Sequence, residues 1–218
     1  MAQPYVAPLP DDQHSRLRAV GTKLEYLQSA LYAGEAARRT ATPNHPANTA
    51  GTRAYQEHVR VLRETHIQHE GWQRLRLDYL ELVCNPDRTK SIGVMIGDAA
   101  TGNPRFVATN LHRRGGATQR AAENNAQLAL FPEPALPDEV LLGTEESTRL
   151  ERWFLVSYRV QVDEAVRIHS ELSLPRRVEG GFVVEWQDRI LLPVLEMEGV
   201  SLPDEDGPDE IDISVDFR

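Results

Sequence analysis

FLVSYRVQVDEAVRIHSELSLPRRVEGGFVVEWQDRILL, residues 154–192, decides the fold of this chain. Phe154, Val156, Tyr158, Val160 and Val162 alternate with smaller or polar residues, the period of a strand. Asp163-Glu164 makes a turn. Val166, Ile168, Leu172 and Leu174 then share one face of a second strand, with Ser170 among them, and Arg167, His169, Glu171 and Ser173 take the other. Pro175 to Gly181 reads as a second turn region, and Phe182, Val184 and Trp186 line a third strand that leads to Ile190 and Leu192. The expectation is a three-stranded antiparallel meander with one apolar and one polar face, and with Asp188-Arg189 marking either a bulge or the strand's emergence at an edge.

Upstream, the period changes. Leu17, Val20, Leu24, Leu27 and Leu31 recur at steps of three and four, which predicts a helix from Asp11 to Arg38. Acids at its start and arginines at its end suit the helix dipole. Thr40 to Gly51 holds Pro43, Asn44, Pro46 and Asn48 and reads as a connection. Tyr55, Val59, Leu62 and His66 seam a second helix from Thr52 to about Glu70, stopped by Gly71. The two make an antiparallel helical hairpin, residues 1–71. Trp72 to Cys84 reads as strand, with Asn85-Pro86-Asp87 as a turn before the apolar run Ile92 to Ile96. Phe106 to Thr109 is a further short strand, and 118–130 a helix halted before Pro132. The fold class is α+β: a helical hairpin packed on a predominantly antiparallel sheet spanning 72–198, followed by an acidic tail, 199–218.

Composition narrows the chemistry. The 218 residues include one cysteine, Cys84, which rules out intrachain disulfides and cysteine-cluster metal centres. No run of 18 apolar residues is present, and MAQPYVAPLPDD lacks the basic and apolar regions of a secretory signal, so the expected compartment is the cytoplasm. Net charge is −9, yet residues 196–218 alone carry nine acids against Arg218. The body is therefore nearly neutral. Ala99 to Ala122 contains no acid, while Arg105, Arg113, Arg114 and Arg120, with His112, make it basic. Of the basic residues only Lys23 and Lys90 are lysines, so lysine-dependent covalent chemistry has two candidates.

Several stretches carry possible chemistry. Gly97 to Gly102 has phosphate-loop spacing, but Asn103 stands where the lysine belongs and Pro104 lacks an amide donor, so a glycine-rich turn is expected. Arg105, His112, Arg113, Arg114 and Arg120 form the candidate anion or nucleic-acid site. His66 and His69 lie one turn apart, with His58 about 16 Å from His69 along the axis. No complete ligand set follows, and no metal or cofactor is expected. His169 flanked by Arg167 and Glu171, with Glu185 and Gln187 on the neighbouring strand and Arg159 and Gln161 on the first, is the best acid–base candidate. Cys84, next to Val83 and a turn, reads as a buried, inert thiol. Ile211, Ile213, Val215 and Phe217 alternate with acids at the end of the tail, which suits either a strand of this sheet or a peptide that docks on a partner.

The runs Glu171 to Pro175 and Trp186 to Pro193, together with Asn85-Pro86, Gly97-Asp98 and Thr101-Gly102, resemble uncharacterised bacterial proteins of mobile elements and prophage-like regions, over residues 72–193. The resemblance implies an accessory gene tied to element maintenance or phage conflict, and carries no catalytic residues over. The leading expectation is a non-enzymatic adaptor that holds another protein through Asp204, Glu205, Asp206 and the Ile211, Ile213, Val215, Phe217 stripe. The alternatives are nucleic-acid binding through the basic segment 105–120 and a small hydrolase using His169 and Glu171. Deleting residues 199–218 is expected to leave cooperative unfolding unchanged and to weaken partner capture in a pull-down. Loss of the folded state on that truncation would make Ile211 to Phe217 a strand of the domain instead.

Overall fold

A computed structural model describes residues 9–77, 80–111, 139–140, 150–163 and 165–198. The helix expected at 118–130 and the tail 199–218 lie outside the described residues. The first expected helix is two: α1 (Asp11–Val20) and α2 (Leu24–Arg38). Gly21 separates them in a left-handed conformation, φ 93°, and the amides of Gly21 and Thr22 both return to the Leu17 carbonyl. A Cβ at residue 21 would meet the Trp72 ring at 2.9 Å, so this position is closed to side chains twice over. The apolar seam nevertheless runs unbroken through the break: Leu17, Val20, Leu24, Leu27 and Leu31 are all buried.

α3 (Thr49–Glu70) begins three residues before its expected start and ends at Gly71, φ 67°. It runs antiparallel to α2: Tyr26 and Lys23 reach Glu70 at one end, and Gly34 lies against His58 further along. At Gly34 the packing leaves no room for a side chain, since a Cβ there would overlap the His58 ring.

Among the described residues eight strands follow: β1 (Gln73–Leu77), β2 (Leu80–Cys84), β3 (Lys90–Ile96), β4 (Glu139–Val140), β5 (Glu151–Val162), β6 (Ala165–Glu179), β7 (Phe182–Leu191) and β8 (Leu195–Glu198). Their order is β4-β1-β2-β3-β5-β6-β7, with β8 also on β6. Pairing is antiparallel except for β1 with β4 and β3 with β5. The architecture is α+β. The turn at Asn85 is built by its own side chain, whose Oδ1 accepts from the amides of Thr89 and Lys90. Phe106 to Thr109 forms no strand. Its backbone lies in a loop that touches the sheet through one bridge, Gly97 with Asn110.

The meander β5-β6-β7 exists, with two corrections. First, β6 does not turn at Pro175. It continues to Glu179, and the chain reverses at Gly180-Gly181, both at positive φ. Register shifts at Leu174/Pro175, Pro175/Arg177 and Arg177/Val178 absorb the proline as bulges, adjacent to Asp188, where an interruption was expected. Beyond β7, Pro193 breaks the strand, and β8 resumes pairing on the first half of β6.

Second, the polar stripe of β6 does not make a separate polar face. Phe154 pairs with Ser173, Val156 with Glu171 and Tyr158 with His169, so the apolar stripe of β5 shares its face with the polar stripe of β6. On the opposite face, Trp153 and Leu155 join Val166, Ile168, Leu172 and Ile190 beneath the helices. The second face carries its own buried cluster of Leu75, Leu82, Met95, Phe154, Val156 and Val183. Strand alternation alone does not show that the sheet is covered twice.

His66 sits at the centre of the helical layer. Its Nδ1 donates to the Leu62 carbonyl at 2.7 Å, which fixes the tautomer, and Thr22 Oγ1 donates to Nε2 at 2.8 Å. The Tyr26 and Trp72 rings enclose it. Burial pushes its pKa down to about 4. The unfolded chain therefore takes up a proton below pH about 6.5 while the native imidazole stays neutral, and stability falls as pH drops from there to about 4. The loss at this one site is about 3 kcal/mol. Denaturant unfolding at pH 7.5 and 4.5 follows it, and His66→Gln is expected to shrink the difference without abolishing it, since burial also pushes His58 down to about 4.

Candidate functional site

The second face of the sheet is covered by a loop. Gly97 to Leu111 leaves β3 and returns to it: the Gly97 amide bonds Ser157 on β5, and the Leu111 amide bonds the Ile96 carbonyl. Asp98 organises the interior, its Oδ1 accepting from the amides of Ala100 and Thr109. Such a closed loop with its ends together is a compact surface unit. Its amides are consumed inside the fold. Thr101 donates to the Asp98 carbonyl, Asn103 to the Ala100 carbonyl, and Gly102 to a carboxylate below, so Gly97 to Gly102 is a glycine turn and not a phosphate cradle.

That carboxylate belongs to Glu171, whose residue is 0% exposed. Its Oε1 accepts from Arg189 Nε at 3.0 Å and Ser173 Oγ at 2.8 Å, and its Oε2 from Arg189 Nη2 at 2.5 Å and the Gly102 amide at 2.9 Å. This is a fork-on-fork pair with the remaining lone pairs occupied. Arg189 then spends its other donors on the loop: Nη1 on the Phe106 carbonyl at 2.7 Å and Nη2 on the Asn103 carbonyl at 3.3 Å. Three more bonds fasten the far side. Asn110 is pinned between Gly181 and Val183 on β7, and Trp186 Nε1 donates to the Ala108 carbonyl at 2.7 Å. Ala108 and Asn110 point inward and are buried. Phe106 and Val107 point outward and are each 61% exposed, with Leu111 also exposed.

The acid–base candidates do not converge. Glu171 is the anion of the latch, with no lone pair left for a substrate proton. Arg167 lies in the outward row of β6 and donates to Glu196 at 2.7 Å. Glu185 faces Arg176 at 3.2 Å and Arg177 at 3.5 Å, six residues along β6 from Glu171. Arg159 and Gln161 are on the helix face, opposite to His169. His169 stands alone across from Tyr158, half-buried, its pKa lowered by burial and by the Arg167 charge. Cys84 is buried, and burial raises its thiol pKa, which keeps it protonated. His66 lies inside the helical seam, and His69 is stacked on Tyr26 at the surface. Among the described residues no group of three metal-ligating side chains comes together.

Of the basic candidates, Arg105 is exposed beside Phe106, its amide bonded to Asn103 Oδ1. His112, Arg113, Arg114 and Arg120 lie outside the described residues, as do Asp204, Glu205, Asp206, Ile211, Ile213, Val215 and Phe217. Sequence reasoning missed Arg189 as a functional residue. The signal was present as the charge that breaks the alternation of β7; its partner Glu171 gave none, because it falls in the regular polar row of β6. The chain matches no protein-family profile, no curated protein and no solved structure. Among the described residues no helix is long and apolar enough to cross a membrane.

The latch makes a two-part prediction. Arg189→Met leaves Glu171 buried without its charge partner and is expected to cost about 3–5 kcal/mol. Glu171→Leu with Arg189→Met is expected to recover most of that loss. Both proteins are expected to be cut by trypsin at Arg105 faster than the parent, because the loop carbonyls have lost Arg189. Equal stability of parent and Arg189→Met would remove the latch from the account.

Proposed function

We propose that the chain is a non-enzymatic adaptor that binds another protein through the tip of the loop from Asn103 to Leu111. The observation that carries this reading is Phe106 and Val107, each 61% exposed, on a loop whose backbone is fastened by a buried ion pair. A free loop would bury such side chains or lose entropy on docking. A fixed one presents them already ordered, which lowers the cost of association. An exposed aromatic flanked by an arginine is the composition of an interface anchor. The partner is a protein with an apolar pocket that accepts Phe106 and an acidic rim that accepts Arg105. The resemblance to proteins of bacterial mobile elements supplies the setting, and the acidic segment 199–218 supplies a second, salt-sensitive contact.

A photocrosslinking amino acid at position 106, in cells that produce the protein, tests this. The expected result is an adduct with one other protein, absent when the same group stands at the exposed position 64 on α3. No adduct at 106, or an adduct only with a second copy of this chain, overturns it.

The second reading is nucleic-acid contact, favoured by Arg105 and Phe106 standing exposed side by side, a cation next to a stacking platform. With four arginines on phosphates, a gel-shift salt series gives a log–log slope of about −3 to −4. No shift at low salt ends this reading.

A further inference from the structure

β3 is shorter than the strand it lies beside. It runs parallel to β5 from Lys90 opposite Glu151 to Ile96 opposite Ser157, and then leaves the sheet at Gly97 to begin the loop. β5 continues from Tyr158 to Val162 with β6 on one side only. The Glu151 amide bonds Thr89, and the Ser157 carbonyl accepts from the Gly97 amide, so the odd-numbered residues of β5 turn their backbone groups toward β3. Arg159 and Gln161 turn theirs the same way, beyond the point where β3 has left. Their amides and carbonyls on that side have no partner among the described residues. Such an edge is a template for one more strand.

Side chains along the edge sort by face. Tyr158 and Val160 are half-buried and Val162 is 36% exposed, all three on the loop face. Arg159 and Gln161 lie on the helix face. Arg159 is held by the buried Glu35 of α2, which Arg38 and Arg39 also approach, and it bonds Gln161 at 3.3 Å. A strand added here needs an apolar row toward the first set and a polar row toward the second. The sequence supplies a segment of that pattern: Ile211, Ile213, Val215 and Phe217 alternate with Asp212, Ser214 and Asp216.

The tether of that segment starts in the right place. Glu198 ends β8 opposite Ala165, and Ala165 lies opposite Val162 at the β5–β6 hairpin. β8 and β5 are both antiparallel to β6, so both run toward this hairpin, and a return along β5 is antiparallel to it. From Glu198 to the far side of Val162 is three strand spacings, about 15 Å. Residues 199–210 reach up to about 40 Å when extended, and Gly199, Pro203, Gly207 and Pro208 supply turn residues on the way.

We propose that the open edge of β5, Tyr158 to Val162, is a strand-docking site for residues 211–217 of the same chain, which lie antiparallel to it with their apolar row on the face of Val160. Asp204, Glu205 and Asp206 fall in the connection, outside the pairing, so the proposal does not depend on the adaptor reading. None of residues 158–162 belongs to either buried cluster. Loss of the docked strand therefore uncovers this edge without opening the core.

Amide hydrogen exchange, read by NMR on the full chain and on a chain ended after Glu210, tests this. The Arg159 and Gln161 amides are expected to exchange about tenfold faster in the shortened chain. The Tyr158 and Val160 amides, which face β6, are expected to exchange at the same rate in both. Ile213→Asp puts a charge into the apolar row and is expected to reproduce most of the change in the full chain. Equal exchange at Arg159 and Gln161 in the two chains overturns the proposal. Protection that Ile213→Asp leaves intact does so too. Protection that is lost on dilution also overturns it, because the edge is then covered by a second copy.

Discussion

A sheet covered on both faces needs two lids, and among the described residues the helices supply only one. The other is an irregular loop with few apolar side chains to bury, so packing cannot hold it down. Arg189 supplies what packing lacks. One guanidinium, itself neutralised by Glu171, ties two loop carbonyls to the strands below. A buried charge pair is seldom a bargain in stability against well-packed hydrocarbon. Its value here is geometric: it fixes where the loop lies, and thereby which of its side chains face water.

How much of this was visible in the sequence depends on which physical quantity the sequence reports. Periodicity reports burial. It located α3 to within a few residues and gave β5 and β6 as far as Leu174, because each has one side pressed into a core. It reports nothing of backbone continuity, so Leu17 to Leu31 read as one helix although Gly21 divides it. Nor does it say which strand face meets which. A strand pair registers by single residues, and Phe154 opposite Ser173 places apolar and polar stripes together. The polar stripe of β6 then looks like a solvated or catalytic face, when Glu171 and Ser173 are among the most deeply buried polar residues of the molecule.

The candidate site was legible only in fragments. Phe106, Arg105 and the interruption at Asp188-Arg189 all stood out, but what joins them is a contact between residues some 80 positions apart. The cluster at Glu35 was silent for a related reason. Arg38 and Arg39 looked like ordinary dipole-complementing residues at a helix end, and Arg159 like an outward residue of a strand. Arg38 and Arg39 meet Glu35 within one helical turn, and only the packing of the hairpin on the sheet brings Arg159 to the same carboxylate. In both places a charge that appears local in sequence is explained by a distant partner of opposite sign.

The bulged and broken run from Phe182 to Glu198 bears on how the molecule behaves in company. A long straight outer strand invites a neighbour's strand to join it, the first step to amyloid-like stacking. Here β7 carries bulges opposite Pro175, and Arg16 crosses from α1 to hold Asp188 and cap the Arg189 carbonyl at 2.9 Å. Pro193 then withholds a donor before β8 begins. An intruding strand finds no continuous ladder of bonds to extend, so crowded copies of this chain are steered away from fibre formation.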